Sequence, residues 1–251
     1  MGGVPRSGRV ALRVQEAVSQ GLILLTYYAL EAWMYGRRYR IIGLRQVRRA
    51  FEAEMAGEPG PWLICANHLT LIDSLVIQWA MAPGWRLFLR RDRFAWNLPD
   101  RVNISRTWWL RVLGYIGKCV PVLRQGPPEE ARRTLDKVGF LLSAGQTVVI
   151  FPEGGRSRIG RVDLDRVTYG VGRMLQEVPQ TRVLCVYARG VGQRTYSDYP
   201  APGERFFIGV ARLEPKTSLD GMRGARDLAT QIVTKLSEME AEYRENAVVD
   251  R

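Results

Sequence analysis

Residues 62–73 read Trp62-Leu63-Ile64-Cys65-Ala66-Asn67-His68-Leu69-Thr70-Leu71-Ile72-Asp73. The first five form an apolar run of strand length, stopped at Asn67. Asp73–Met81 is apolar enough to be a buried helix, and Pro83-Gly84 ends it. A strand that passes through a short loop into a helix is the unit from which parallel sheets are built. Outward along the chain the pattern continues. Thr147–Phe151 is a β-branched run stopped by Pro152, and Val183–Ala188 and Phe206–Arg212 read as further strands, with Arg86–Leu89 as another. Glu129–Leu142 has helical spacing and opens on two acids after Pro127-Pro128, as a helix start should. Leu219–Glu245 reads as a long closing helix. No repeat and no Gly/Ser/Pro-rich linker divides the chain. The expected fold is α/β: a single domain over residues 41–251 with a largely parallel central sheet flanked by helices, preceded by an N-terminal amphipathic helical extension over residues 1–40.

Composition narrows the chemistry. The 251 residues suffice for a full core. At 46% hydrophobic and 25% charged, the chain has the balance of a globular protein, which argues against wholesale disorder. One histidine, His68, and three scattered cysteines (Cys65, Cys119, Cys185) cannot supply a zinc site of His and Cys pairs or a CxxC redox centre. The cysteines sit in apolar runs, where a small buried hydrophobe is the default reading. Lys+Arg is 37 against 25 Asp+Glu, a net charge of +12, and only four of the 37 are lysine. Arginine-rich charge suits a polyanionic partner: nucleic acid, an anionic membrane or a phosphorylated substrate.

The N-terminal forty residues favour a membrane surface, and residues 85–111 are compatible with one, a solvated basic loop with its tryptophans in the core being the plainer reading of any single Trp there. From Ala17 to Gly36 the only charged residue is Glu31. On a helix, Arg9, Arg13, Glu16, Gln20, Tyr27, Glu31 and Arg38 fall in one narrow stripe, and Leu22, Ile23, Leu25, Ala29, Leu30 and Trp33 lie outside it. A narrow polar stripe, a broad apolar face and bordering Trp, Tyr and Arg are what a helix lying in a membrane interface needs. A plain core helix is the alternative. Residues 85–111 hold seven arginines and four of the seven tryptophans. That mixture suits anionic headgroups or the stacking of nucleic-acid bases.

The candidate chemistry lies at two strand ends. His68 follows a strand and has Asp73 five residues on. The two can meet if His68 is in the loop and Asp73 in the first helical turn, where the carboxylate would fix the imidazole tautomer. With no GxSxG elbow and no obvious Ser or Cys nucleophile, the pair suits a general base acting on a substrate hydroxyl. The second end reads Phe151-Pro152-Glu153-Gly154-Gly155-Arg156-Ser157-Arg158. Glycines let backbone N–H groups approach an anion, and the arginines complete a phosphate cradle. Glu153 could accept hydrogen bonds from a substrate hydroxyl. Arg124, just past Gly117–Leu123, is a third candidate.

Asn67-His68 with Asp73, then Arg124, then Phe151–Ser157, in this order and spacing, resembles the glycerolipid acyltransferases of the lysophosphatidic acid acyltransferase (PlsC-like) superfamily. The first block matches the family's NHx4D motif. The second matches FPEGTRS with Gly155 in place of Thr. The resemblance runs from about Tyr39 to about Leu213. It implies that His68, oriented by Asp73, deprotonates a lysolipid hydroxyl that attacks the thioester of an acyl-CoA or acyl carrier protein. It implies that Arg124 binds the acceptor's phosphate and that Asn67, Glu153, Gly154, Gly155, Arg156 and Ser157 belong to the substrate-binding blocks. No metal, other cofactor or covalent acyl-enzyme is required. The expected partners are a lysolipid acceptor, the acyl donor and an anionic membrane surface, with no nucleic acid. The expected location is peripheral or monotopic on the cytoplasmic face of a membrane. Gly155, and Cys185 where the family usually has a strand Pro, depart from the pattern and bear on the acceptor. The stretch Gly117–Arg124 also looks like the tafazzin branch, so a transacylase is an alternative, as are a lyso-ornithine lipid acyltransferase, a hydrolase of lipid esters or thioesters, and a basic anionic-membrane or nucleic-acid binding protein without enzyme activity.

Overall fold

The computed structural model describes residues 3–57, 60–123 and 126–249, with side chains to 246. Six strands form one sheet: β1 (Arg40–Ile41), β2 (Trp62–Ala66), β3 (Trp96–Asn97), β4 (Thr147–Ile150), β5 (Arg182–Gly190) and β6 (Arg205–Leu213), in the order β1-β6-β5-β2-β4-β3. All pairs are parallel except β5–β6. The central β2 is buried at every position because both its faces are covered.

Helices cover both faces. Trp62, Ile64 and Ala66 of β2 point into a core shared with α2 (Ile23–Gly36), α3 (Leu44–Glu54), α4 (Asp73–Met81) and α5 (Gly84–Leu89). The alternate residues Leu63 and Cys65 point into a second core, with α8 (Pro128–Ser143), α9 (Gly170–Glu177) and α10 (Gly221–Val249). Pro128 at the first position and Glu129 and Glu130 in the first turn start α8 as its sequence requires.

Two expectations change. Arg86–Leu89 is helical, within α5, and not a strand. Leu87 is fully buried in the first core, while Phe88 and Leu89 stay exposed, a partition that suits one face of a helix. The N-terminal extension is two helices, α1 (Arg6–Gly21) and α2, joined at Leu22 (φ −100°, ψ 2°). Each half has its own seat: α1 packs on α7 (Trp108–Ile116), and α2 on α4 and α5.

The protein-facing side of these two helices is mixed: apolar Leu12, Ile23 and Met34 are buried there together with Gln15, Ser19, Gln20 and Tyr27, while Arg9 and Arg13 stay exposed. Gln15 Nε2 donates to the carbonyls of Tyr115 and Cys119, and Gln20 Nε2 to those of Leu87 and Phe88. Ser19 Oγ donates to Tyr115 O, and Trp79 Nε1 donates to Glu31 Oε1. A second set of apolar side chains on these helices is left uncovered: Val10, Val14, Val18, Leu24, Leu25, Tyr28 and Trp33 are exposed. Trp85, Phe88 and Leu89 on α5, and Trp108, Trp109, Val112 and Leu113 on α7, are exposed beside them. Among the described residues no helix is long and apolar enough to cross a membrane.

Candidate active site

The parallel pairing of β2 and β4, with Cys65 opposite Ile150, delivers the two sequence blocks to the same sheet edge. His68 and Asp73 sit in the loop and first helical turn after β2, and Glu153–Ser157 in the loop after β4.

His68 Nδ1 lies 3.0 Å from Asp73 Oδ2, and both side chains are buried. Asp73 accepts further bonds from the backbone N–H groups of Leu69 (2.6 Å) and Thr70 (2.8 Å) and from Thr70 Oγ1. With these donors converging on it the Asp73 side chain is held in place, and as an acceptor beside Nδ1 it favours the tautomer that leaves Nε2 as the accepting ring nitrogen. Nε2 makes no hydrogen bond among the described residues. The Phe151 ring stacks on the imidazole, centroids 4.0 Å apart and 15° from parallel, and fixes its plane.

The second block holds the first from behind. Glu153, 2% exposed, accepts from His68 N–H through Oε1 and from Asp163 N–H through Oε2, each at 3.2 Å. Burial pushes its carboxyl up to about 7, against the opposing pull of those two N–H groups. Both oxygens therefore face backbone donors, and Glu153 clamps the histidine loop. Gly154 has φ +70°, and a Cβ there would meet Thr168 Cγ2 at 2.4 Å, so glycine is required for the turn. Gly155 is buried in the same turn. Ser157 N–H donates to His68 O at 2.8 Å, and its Oγ is buried with no hydrogen-bond partner.

Asn67 has its amide occupied by Ala188: Nδ2 donates to the carbonyl at 3.0 Å, and Oδ1 accepts the N–H at 2.8 Å. It ties β2 to β5 directly behind the histidine. Arg156 lies at the site's edge, with Nη1 donating to Ser197 O at 3.0 Å and to Asp198 Oδ1 and the guanidinium over the Tyr196 ring. Arg124 lies outside the described residues. The structure thus gathers His68, Asp73, Asn67, Glu153, Gly154, Gly155, Arg156 and Ser157 at one strand edge.

Several contributors escaped the sequence reading. Thr70 stands three residues before Asp73 and gives it both its N–H and its hydroxyl, a Thr-x-x-Asp spacing that the chain does carry. Phe151 stands inside a motif whose chemistry drew attention to its charged members. Asp198 and Tyr196 come from a loop far along the chain, and nothing local marks them. Lys118 is fully buried, donates to Phe94 O and Gln146 Oε1, and is pushed down to about 8 by desolvation. It anchors the segment that leads to Arg124.

A family model described as Acyltransferase matches residues 39–189, from the residue before β1 to the penultimate residue of β5. No curated protein matches the chain.

Proposed function

The chain belongs to the acyltransferase family and is an acyltransferase of the glycerolipid type; from that premise we propose that it moves a fatty acyl chain from acyl-CoA or acyl carrier protein to the free hydroxyl of a lysolipid, 1-acylglycerol 3-phosphate or a relative, at a membrane surface. The observation that carries this reading is the buried His68–Asp73 pair with Nε2 unbonded. Among the described residues no Ser, Thr or Cys side chain hydrogen-bonds to the imidazole. That arrangement favours direct attack over a covalent acyl-enzyme.

In this mechanism the acceptor hydroxyl gives its proton to His68 Nε2 as its oxygen bonds to the thioester carbonyl carbon. The carbon–sulfur bond then breaks, and the proton on Nε2 passes to the departing thiolate. Asp73 stabilises the imidazolium between the two transfers. Arg156 and Arg124 bind the acceptor's phosphate, Arg156 through the N–H groups it has left over. No metal and no further cofactor enters any step.

The uncovered apolar faces of α1, α2, α5 and α7 support seating on one leaflet, with neighbouring arginines meeting anionic headgroups. We assign that docking to the cytoplasmic face, the side on which an acyl-CoA or acyl carrier protein donor would reach it. Purified protein offered a panel of lysolipids with each thioester donor, with products read by mass spectrometry, tests the assignment. Thioester hydrolysis without any diacyl product would overturn it.

A further inference from the structure

Arg156 is held by a segment remote in sequence. Nη1 donates to Ser197 O and Asp198 Oδ1, and the guanidinium lies 5.6 Å from the Tyr196 ring centroid. That segment is stitched to the loop between His68 and Asp73: Ser197 N–H donates to Leu69 O at 3.0 Å, Leu71 N–H donates to Asp198 O at 3.1 Å, and Thr70 and Ser197 form an isolated parallel bridge. A guanidinium has five N–H donors in a rigid plane. Those on Nη1 are occupied here, while Nε and Nη2 have no partner among the described residues. The free edge of Arg156 is thereby fixed relative to the catalytic loop.

The same contact lowers the charge Arg156 presents. Asp198 is 60% exposed and Arg156 25%, so the pair is partly solvated and its net charge near zero. A phosphomonoester carries close to two negative charges at neutral pH, a phosphodiester one. Beside a compensated arginine the second charge gains little, and Asp198 repels it. We propose that Asp198 is a positioning and specificity residue, which orients Arg156 and tempers its preference for a phosphomonoester acceptor over a phosphodiester one. This rests on the acyl-transfer reading above.

The test compares kcat/KM for lysophosphatidate and lysophosphatidylglycerol of the same acyl chain, in matched mixed micelles, for wild type and Asp198→Asn. The asparagine keeps an oxygen for Nη1 and removes the opposing charge. The ratio of the two efficiencies should rise about three- to fivefold in favour of lysophosphatidate. The change should come through KM for that acceptor, with kcat retained. In an Arg156→Ala background the same substitution should shift the ratio by less than about twofold. A ratio that stays constant or falls in Asp198→Asn, or one that shifts as much without Arg156, overturns the proposal. Asp198→Ser is the second variant, read in the same way, should the asparagine variant melt early. Wild type that acylates neither lipid removes the acyl-transfer reading itself, whereas turnover of both with an unmoved ratio removes this proposal alone.

Discussion

His68 and Asp73 are five residues apart, a separation that puts two side chains on different sides of a helix, yet Nδ1 and Oδ2 are 3.0 Å apart. The loop makes this possible. Residues 67–72 are not helical, α4 begins at Asp73, and the carboxylate turns back to collect the N–H groups of Leu69 and Thr70 as well as the imidazole. One acid therefore shapes the loop and orients the imidazole.

That double duty makes Asp73→Asn informative. The amide keeps the size and loses the charge that holds Nδ1–H and stabilises the imidazolium. kcat should fall about 10²–10⁴-fold. The loop should also loosen, at a cost of about 1–2 kcal/mol in urea unfolding. A variant with near-normal kcat would separate Asp73 from the chemistry.

Glu153 gives a pH signature with a definite sign. Burial raises its carboxyl from an ordinary 4.5 to about 7 in the folded chain. Its contribution to stability is then fully present below pH 4.5 and is lost as pH rises through 7. Glu153→Gln cannot titrate. Wild-type stability minus that of the glutamine variant should fall by about 3 kcal/mol between pH 4.5 and 7.5, measured by urea unfolding across the range. A difference that stays flat or grows contradicts the placement of this carboxyl.

Gly154→Ala tests the turn that presents the second block. A φ of +70° and a contact of 2.4 Å to Thr168 Cγ2 both oppose a methyl group. The expected loss is about 1–3 kcal/mol, with activity falling as Glu153 moves. Adding Thr168→Ser removes Cγ2 and keeps the hydroxyl that donates to Pro152 O. The double variant should regain about 1 kcal/mol, the steric part alone. A double variant no more stable than the single would show that backbone conformation, not crowding, sets the whole cost.

The exposed apolar faces can be probed without touching the core. Leu25 is 70% exposed and Trp108 76%. Leu25→Glu with Trp108→Glu should leave the melting midpoint close to wild type. Co-sedimentation with anionic vesicles should weaken about tenfold or more. Equal sedimentation of variant and wild type would count against this surface as the docking face.

The sequence patterns that could be read were those with local causes. β2 and α4 are visible as an apolar run, a polar break and a second apolar run, and α8 declares itself through Pro128 and two glutamates. The His–Asp pair could be inferred because its partners share one loop. Other features depend on contacts between distant parts. Leu22 interrupts the N-terminal helix because α1 and α2 have different seats on the domain. The stripe of Gln20, Tyr27 and Glu31 looks on a wheel like a solvent face, but in the folded chain its hydrogen bonds run inward, to α5 and α4. Arg86–Leu89 is too short for its period to decide between strand and helix. Asp198 meets Arg156 across 42 positions, a pairing that tertiary structure alone supplies.

The central claim is that His68 is the base that activates the acceptor hydroxyl, and no second histidine exists to replace it. The most direct measurement is single-turnover acyl transfer by His68→Ala from a radiolabelled thioester to a lysolipid, with folding verified by melting. The account requires a loss of at least about a hundredfold in the rate of diacyl product formation, with lysolipid binding retained. Product formation at close to the wild-type rate would contradict it.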